Sequence, residues 1–333
     1  MDRTRSDCLT DEQRDEVDLA DKPQNALLSL VQVALNSTSV SGTVRLFSEL
    51  FGFENAGGSP AWGKVLAMQD LPEEAHCIVW WMIGTVPFFQ IEIFHHDHPQ
   101  QRLLPPDWRP CDLGWTRLGV AVSEFGRVIV GLDRYGVGIL GRSGHAQARR
   151  LAFREPYAGC IVEVIEQPDA AGPSVAYVTS SVADLESARS YYLEVVGAAI
   201  RPLEQLHLPD DEALWGLAGA QRDGFLACLP GGTLEIVKYS SPAGRPRRTD
   251  HRSSDQGILN IAVGSRRPEI IRALIRRVHA FGLATTVIVD TDTLCGTYVV
   301  EAGYEMEMLS IPPELDAMLG FKPSTPFVTD VGS

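Results

Sequence analysis

The chain has few basic residues, no CxxC pair, no glycine-rich phosphate loop and no run of about 20 apolar residues, and each lack removes a class of function. With 29 Lys and Arg against 43 Asp and Glu, the formal charge of the 333 residues is −14. That field repels a phosphate backbone and an anionic lipid surface, which argues against nucleic acid and membrane as partners. The arginine clusters at Arg149, Arg245 and Arg266 are short and scattered, as solvated faces are. Cysteines at 8, 77, 111, 160, 228 and 295 lack redox or zinc spacing, so reduced thiols are expected. The glycines near Gly42 and Gly141 lack the strand and helix context of a nucleotide fingerprint. The first residues are acidic with no apolar core, so no secretory signal is recognisable; a cytoplasmic protein is expected.

What the sequence does contain is a period. Four β-like runs carry a glutamate at positions 92, 163, 235 and 307, spaced 71, 72 and 72 residues apart. Each is preceded by another β-branched run, starting at Val31, Thr116, Val175 and Ile258. Helical periodicity follows most of these: Val40, Val44, Phe47 and Phe51 in the first repeat, Leu185, Ala188, Tyr192 and Val195 in the third, and Ile271, Leu274, Ile275 and Val278 in the fourth. The helix endings LFSELFGF and YYLEVVGA align at an offset of 145, with Gly52 on Gly197. Glycine there suits the left-handed residue that ends a helix.

With two or three short strands before each glutamate, the unit reads β-α-β-β-β. One unit leaves a sheet face open, so modules should pair. The sequence predicts an α+β fold of tandem βαβββ modules in two cup-shaped, barrel-like domains. These are an acidic arm at 1–26, a first paired-module domain at 27–167, a second at 173–321, and a tail at 322–333. The expected joint is the Pro- and Gly-containing stretch Glu166 to Ser174, with a second hinge from Ser240.

This pattern resembles the vicinal oxygen chelate superfamily, which includes glyoxalases, bleomycin-resistance proteins and extradiol dioxygenases. The segments that carry the resemblance are VADLESARSYYLEVVGA from Val182 and FREPYAGCIVEV from Phe153. It implies cups whose ligands come from the first and last strand of each module: Gln32, Arg117, Tyr177 and Ile258, with Glu92, Glu163, Glu235 and Glu307. No histidine stands at these positions, a guanidinium cannot ligate a metal, and Ile258 offers no donor. No cofactor is therefore the favoured expectation. A divalent metal (Fe, Mn, Zn or Ni) held by Gln32, Glu92, Glu163 and His96 is the alternative.

The residues themselves leave several readings open. Glu92, Glu163 and Arg117 could form a charged cluster in one cup, either catalytic or a structural ion-pair network. Strand alternation puts Glu305 and Glu307 on one face, near Tyr177 and Glu235, where paired carboxyls would share a proton, unless Glu305 is solvated at the rim. In HHDHP, His96 and His98 share the side of Glu92, or form a solvated strand end before Pro99. Trp80 and Trp81 must face opposite ways, so one can line a pocket for a small hydrophobic or aromatic molecule while the other fills core.

The leading expectation is a metal-independent lyase or isomerase acting by carboxylate acid–base chemistry on a small aromatic or polycyclic oxygenated compound. Glu163 or Glu307 would transfer the proton and Arg117 or Tyr177 would stabilise the oxyanion. Gln32, Glu92, Trp80, Trp81, Glu235 and Glu305 would contact the substrate. The alternatives are a metal-dependent glyoxalase-like lyase or extradiol-type dioxygenase, and a non-catalytic sequestering protein. A homodimer is left open.

Overall fold

The computed structural model describes residues 28–145 and 148–325, so the expected acidic arm and residues 326–333 of the expected tail lie outside the described residues. The first module runs β1 (Ser29–Asn36), α1 (Val40–Phe51), β2 (Glu54–Trp62), a short α2 (Lys64–Ala67), β3 (His76–Ile83) and β4 (Gln90–His98). The second runs β5 (Gly114–Val122), α3 (Phe125–Arg134), β6 (Ile139–His145), β7 (Ala148–Arg154) and β8 (Ile161–Glu166). The third has β9 (Ser174–Ser181), α4 (Leu185–Ser190) continued by a π-helical turn (Tyr191–Val196), β10 (Ala199–Pro202), β11 (Gln221–Leu229) and β12 (Gly232–Ser241). The fourth has β13 (Gly257–Ser265), α5 (Pro268–Phe281), β14 (Val289–Asp290), β15 (Cys295–Val299) and β16 (Met306–Ser310). The four β-α-β-β-β units of the sequence are thus all present.

The helices form where the periodicity puts them. Ser39 caps α1 by accepting the Gly42 N–H (3.1 Å), Gly52 ends it at φ 88°, and Leu46, Phe47, Leu50 and Phe51 make the buried face. Pro268 opens α5 and Gly282 closes it at φ 98°. These helices pack on one face of the sheets and join the halves: Phe51 of α1 lies 6.4 Å from Phe153 of β7, and Tyr191 lies 5.6 Å from Phe281. One continuous core results.

Two eight-stranded sheets are formed, in the orders β14-β15-β16-β13-β1-β4-β3-β2 and β10-β11-β12-β9-β5-β8-β7-β6. The first module therefore shares a sheet with the fourth, and the second with the third, in place of the sequential pairing expected from the chain. The reason lies in the connections. The stretch at 167–173, taken as the joint between domains, is short and links two modules of one sheet, whereas residues 99–113 and 242–256 carry the chain across from one sheet to the other. Each sheet is centred on two first strands, antiparallel to one another (β1 with β13, β5 with β9), and each of these is parallel to its own last strand. First- and last-strand side chains of two modules consequently meet on the face away from the helices. We call the two faces the 1–4 cup and the 2–3 cup.

Candidate functional site

In the 1–4 cup, Gln32 of β1 lies between Glu92 of β4 and Glu307 of β16. Its Nε2 donates to Glu92 Oε2 at 2.6 Å and to Glu307 Oε2 at 3.2 Å. Trp81 donates Nε1–H to the other oxygen of Glu92 (2.9 Å). Trp80 points the opposite way, bonding Asn55 (2.7 Å) and packing against the main core, as strand alternation demands. Burial and then the charge of Glu307 push the Glu92 carboxyl up to about 8; burial pushes Glu307 up to about 7, with the Asn260 and Gln32 amides pulling it down. Two carboxyls held together out of water cannot both ionise easily, so the pair retains a proton near neutrality.

Asn260 completes the set. It stands opposite Ala34 in a regular antiparallel stretch of β1 and β13, and the bulge that follows, between Ala34 and Leu35, sets Ile258, the residue expected here, opposite Leu35 instead. Asn260 is fully buried; its Nδ2 donates to the Ile261 carbonyl (3.0 Å), and its Oδ1 has no partner among the described residues. Gln90 is equally responsive. With its nitrogen toward the carbonyls of Leu319 (2.9 Å) and Gly320 (2.7 Å), its oxygen meets the Gln32 amide, which then turns its own oxygen to the carboxyls. The shared carboxyl proton becomes the donor in that arrangement.

The segment after β16 covers this cup. Arg266 pairs with Asp316 and lies 3.6 Å over the Phe88 ring, which packs on Phe321 (5.0 Å). A Cβ at Gly320, where φ is 77°, would fall 2.3 Å from the Trp81 ring. Gly320→Val should therefore displace the segment, cost about 1–3 kcal/mol of stability and shift the Trp81 emission, as thermal unfolding and fluorescence would show.

The 2–3 cup holds a different kind of site. His207, from the connection between β10 and β11, lies between two glutamates: Nδ1 is 2.6 Å from Glu235 and Nε2 is 2.9 Å from Glu163. Arg117 donates to Glu235 (2.7 Å) and to the Tyr239 hydroxyl (2.9 Å), and its guanidinium lies 3.9 Å over the Trp215 ring. Glu235 also accepts from Thr179 (2.6 Å), and Glu163 accepts from Arg150 (3.1 Å) and from Tyr177. The side chains of Arg117, His207, Glu163 and Glu235 are wholly buried.

Burial would drive the His207 proton off, but the Glu235 and Glu163 charges outweigh it and hold the imidazolium up to about 9. Burial likewise favours neutral carboxyls; His207, with Arg150 at Glu163 and Arg117 at Glu235, outweighs it and holds both below the usual range. Here protein cations stand between the paired glutamates. The network is balanced and closed, which suits structure better than turnover.

The structure thus separates the residues expected together. Glu163 and Arg117 lie in the other sheet from Gln32 and Glu92, so neither the Glu92–Glu163–Arg117 cluster nor the metal set Gln32, Glu92, Glu163 and His96 is assembled. Tyr177 bonds Glu163, not Glu307. Glu235 sits in the 2–3 cup. Glu305 precedes β16, where alternation no longer holds; it pairs with Arg247 and accepts the Gly303 N–H (2.9 Å), away from Glu307. His96 is beyond Phe94 on β4, stacked on it at 5.6 Å, and His98 is exposed and stacked on His76 (5.9 Å). Sequence reasoning missed His207, which no pattern marked, and Asn260, whose signal was a lone amide inside the apolar run ILNIAV.

Among the described residues no three His, Cys, Asp or Glu side chains gather to hold a metal. The set that fits a cation is mixed, two carboxylates and two amides. The two raised carboxyls are what such an ion would satisfy, with the Gln32 and Asn260 amides turned to present oxygen.

No family model matches the chain, and no curated protein matches it. Solved structures do. Glyoxalase I from Zea mays is similar over 85% of this chain and 92% of its own, with 13% identity and a TM-score of 0.56. A candidate dioxygenase from Bacillus subtilis subsp. subtilis str. 168 is similar over 90% and 92%, with 13% identity and a TM-score of 0.57. With four βαβββ modules paired through their first strands and these neighbours over most of its length, the chain has the fold of the vicinal oxygen chelate superfamily.

Proposed function

We propose that this chain is an enzyme that moves a proton on a small oxygenated organic compound in the 1–4 cup. The observation that supports this most is the convergence of Glu92 and Glu307 on the single amide of Gln32. A carboxyl pair that keeps one proton near neutrality offers a base and an acid side by side, which is what abstraction of a proton next to a carbonyl and its return at a neighbouring atom require. Glu307, the less buried of the two, takes the substrate proton. Glu92, fixed by Trp81, holds the proton to be returned. Gln32 and Asn260 orient the substrate oxygen, Gln32 presenting donor or acceptor as its amide turns.

The same four side chains, with both amides turned to present oxygen, would hold a divalent cation of the hard type, Mg²⁺ or Mn²⁺ before softer ions. When bound, it would polarise a substrate oxygen. Lyase and isomerase chemistry both pass through proton transfer of this kind, and the carboxyl pair serves either.

The test uses 2-hydroxyacetophenone, an aromatic compound with an acidic C–H beside its carbonyl, in D₂O with and without Mn²⁺. Wild-type protein should exchange the carbon-bound hydrogen for deuterium, and Glu92→Gln and Glu307→Gln should each lose a hundredfold or more of that rate. Exchange undiminished in both variants, or none by wild type on a panel of such ketones, would contradict the proposal.

A further inference from the structure

The segment over the 1–4 cup is anchored at both ends. At one, Ile311 donates its N–H to the Ser265 carbonyl at the end of β13 (3.0 Å), and its own carbonyl accepts from Arg266 (3.1 Å). At the other, Ser324 donates its N–H to the Asn55 carbonyl of β2 (2.9 Å) and accepts from the Asn55 side-chain amide (3.1 Å). In the sheet β1, β4 and β3 lie between β13 and β2, so the chain between these anchors crosses all three. It carries Leu319 and Gly320 onto Gln90 and the Trp81 ring. Gln32, Gln90, Glu92 and Asn260 are all buried beneath it, so a compound reaches them when this stretch lifts.

Gln32 and Gln90 stand side by side, level with one another on parallel β1 and β4. Their amides have two consistent arrangements. In the first, Gln90 donates Nε2 to the Gln32 oxygen (2.9 Å), which leaves the Gln32 nitrogen for Glu92 (2.6 Å) and Glu307 (3.2 Å). The Gln90 oxygen then faces the carbonyls of Leu319 and Gly320, three acceptors with no hydrogen among them. In the second, the Gln90 nitrogen donates to those carbonyls (2.9 and 2.7 Å), its oxygen accepts from the Gln32 nitrogen, and the Gln32 oxygen turns to the carboxyls. Each buried polar atom left without a hydrogen bond costs about 1–3 kcal/mol. The second arrangement therefore belongs to the segment in place, and the first to the segment lifted. The nitrogen of one amide must meet the oxygen of the other, so the two turn together.

We infer that Gln90 is a positioning residue that couples the covering segment to the 1–4 cup: with the segment down Gln32 presents its oxygen to Glu92 and Glu307, and with the segment lifted it presents its N–H. The consequence for chemistry rests on the reading of this cup as the working site. A compound enters while Gln32 is a donor, and closure makes Gln32 an acceptor, which a hydroxyl satisfies and a bare carbonyl does not. The readouts that follow use no substrate, so the coupling and the proposed reaction can fail separately.

The test is NMR of the glutamine side-chain amides in ¹³C,¹⁵N-labelled protein, assigned by Gln32→Met and Gln90→Met, together with backbone hydrogen exchange of the segment. In wild type the Gln90 amide protons should show Overhauser contacts to the Gly320 α-protons, and the Gln32 amide protons to the Gln90 γ-protons. Gly320→Val, which pushes the segment off the Trp81 ring, should move the Gln32 contacts to the γ-protons of Glu92 and Glu307 and speed segment exchange tenfold or more. Gln90→Met should do both as well. Gln32→Met leaves Gln90 free to hold the two carbonyls, so segment exchange should stay within threefold of wild type. Asp316→Asn, which loosens the segment at the Arg266 pair, serves if Gly320→Val does not fold. Four results would overturn the coupling: Gln32 contacts already on Glu92 and Glu307 in wild type, Gln32 contacts unmoved when exchange shows the segment lifted, a segment that none of these variants loosens, or Gln32→Met loosening it as much as Gln90→Met.

Discussion

Replacing His207 with alanine is expected to remove about 3–5 kcal/mol of stability at pH 6, measured by urea unfolding. The variant leaves Glu163 and Glu235 buried with their bridging cation gone, and an uncompensated buried charge costs far more than a lost surface contact. The pH dependence has a definite sign. The imidazolium titrates near 6.5 when unfolded and is held up to about 9 in the fold. Its contribution is complete below 6.5 and is lost as pH rises toward 9, about 3 kcal/mol over that window. Glu163 and Glu235 are depressed, so their contribution is present above about 4.5 and fades as pH falls below it. His207→Ala should therefore flatten the stability profile between pH 6.5 and 9. A variant as stable as wild type, with an unchanged profile, would show that the imidazole carries no charge between the glutamates.

Glu92→Gln is expected to act in the opposite direction, stabilising the protein at pH 8 by about 2–4 kcal/mol. Both cup carboxyls are raised, Glu92 to about 8 and Glu307 to about 7, against an unfolded value near 4.5. A raised acid binds its proton more tightly folded than unfolded. The resulting stability is present below 4.5 and is lost as pH climbs through 7 to 8. A glutamine at 92 removes the repulsion and can still accept from Trp81. Mn²⁺ should likewise stabilise wild type at pH 8 and fail to do so in the variant. A lower melting temperature for Glu92→Gln at pH 8 would mean that Glu92 is an ordinary ion-paired carboxylate.

The contrast between the cups follows from what fills the space between paired glutamates. In the 2–3 cup His207 and Arg117 supply the positive charge from within the chain, and the surrounding Tyr177, Thr179 and Tyr239 take up the remaining bonds. In the 1–4 cup the neighbours of Glu92 and Glu307 are amides and an indole, which bond but bring no charge. That difference leaves a proton, or a cation, to complete the second site.

The repeat of glutamates at 92, 163, 235 and 307 made the modules, the fold class and the inward carboxylates legible, because strand period and helix-ending glycines are local properties. Module pairing was not legible. Whether 1 joins 2 or 4 depends on where the connections at 99–113, 167–173 and 242–256 run, and a Pro- and Gly-rich stretch marks a turn equally well within a sheet or between two. Asn260 was hidden because the apolar run ILNIAV does not mark which residue stands at the cup: Ile258 was taken, and the bulge at Leu35 sets it apart from Asn260. His207 was hidden because it reaches the cup from a loop, with no period to place it. Glu305 was misplaced by extending alternation past the first residue of β16.

The central claim is that Glu92 and Glu307 share a proton near neutrality. Side-chain carboxyl NMR on ¹³C-glutamate-labelled protein tests it most directly, with the two signals assigned by Glu92→Gln and Glu307→Gln. Two coupled titrations around pH 7 to 8, each altered by substitution of the other residue, are predicted; two independent titrations near pH 4.5 would contradict the account.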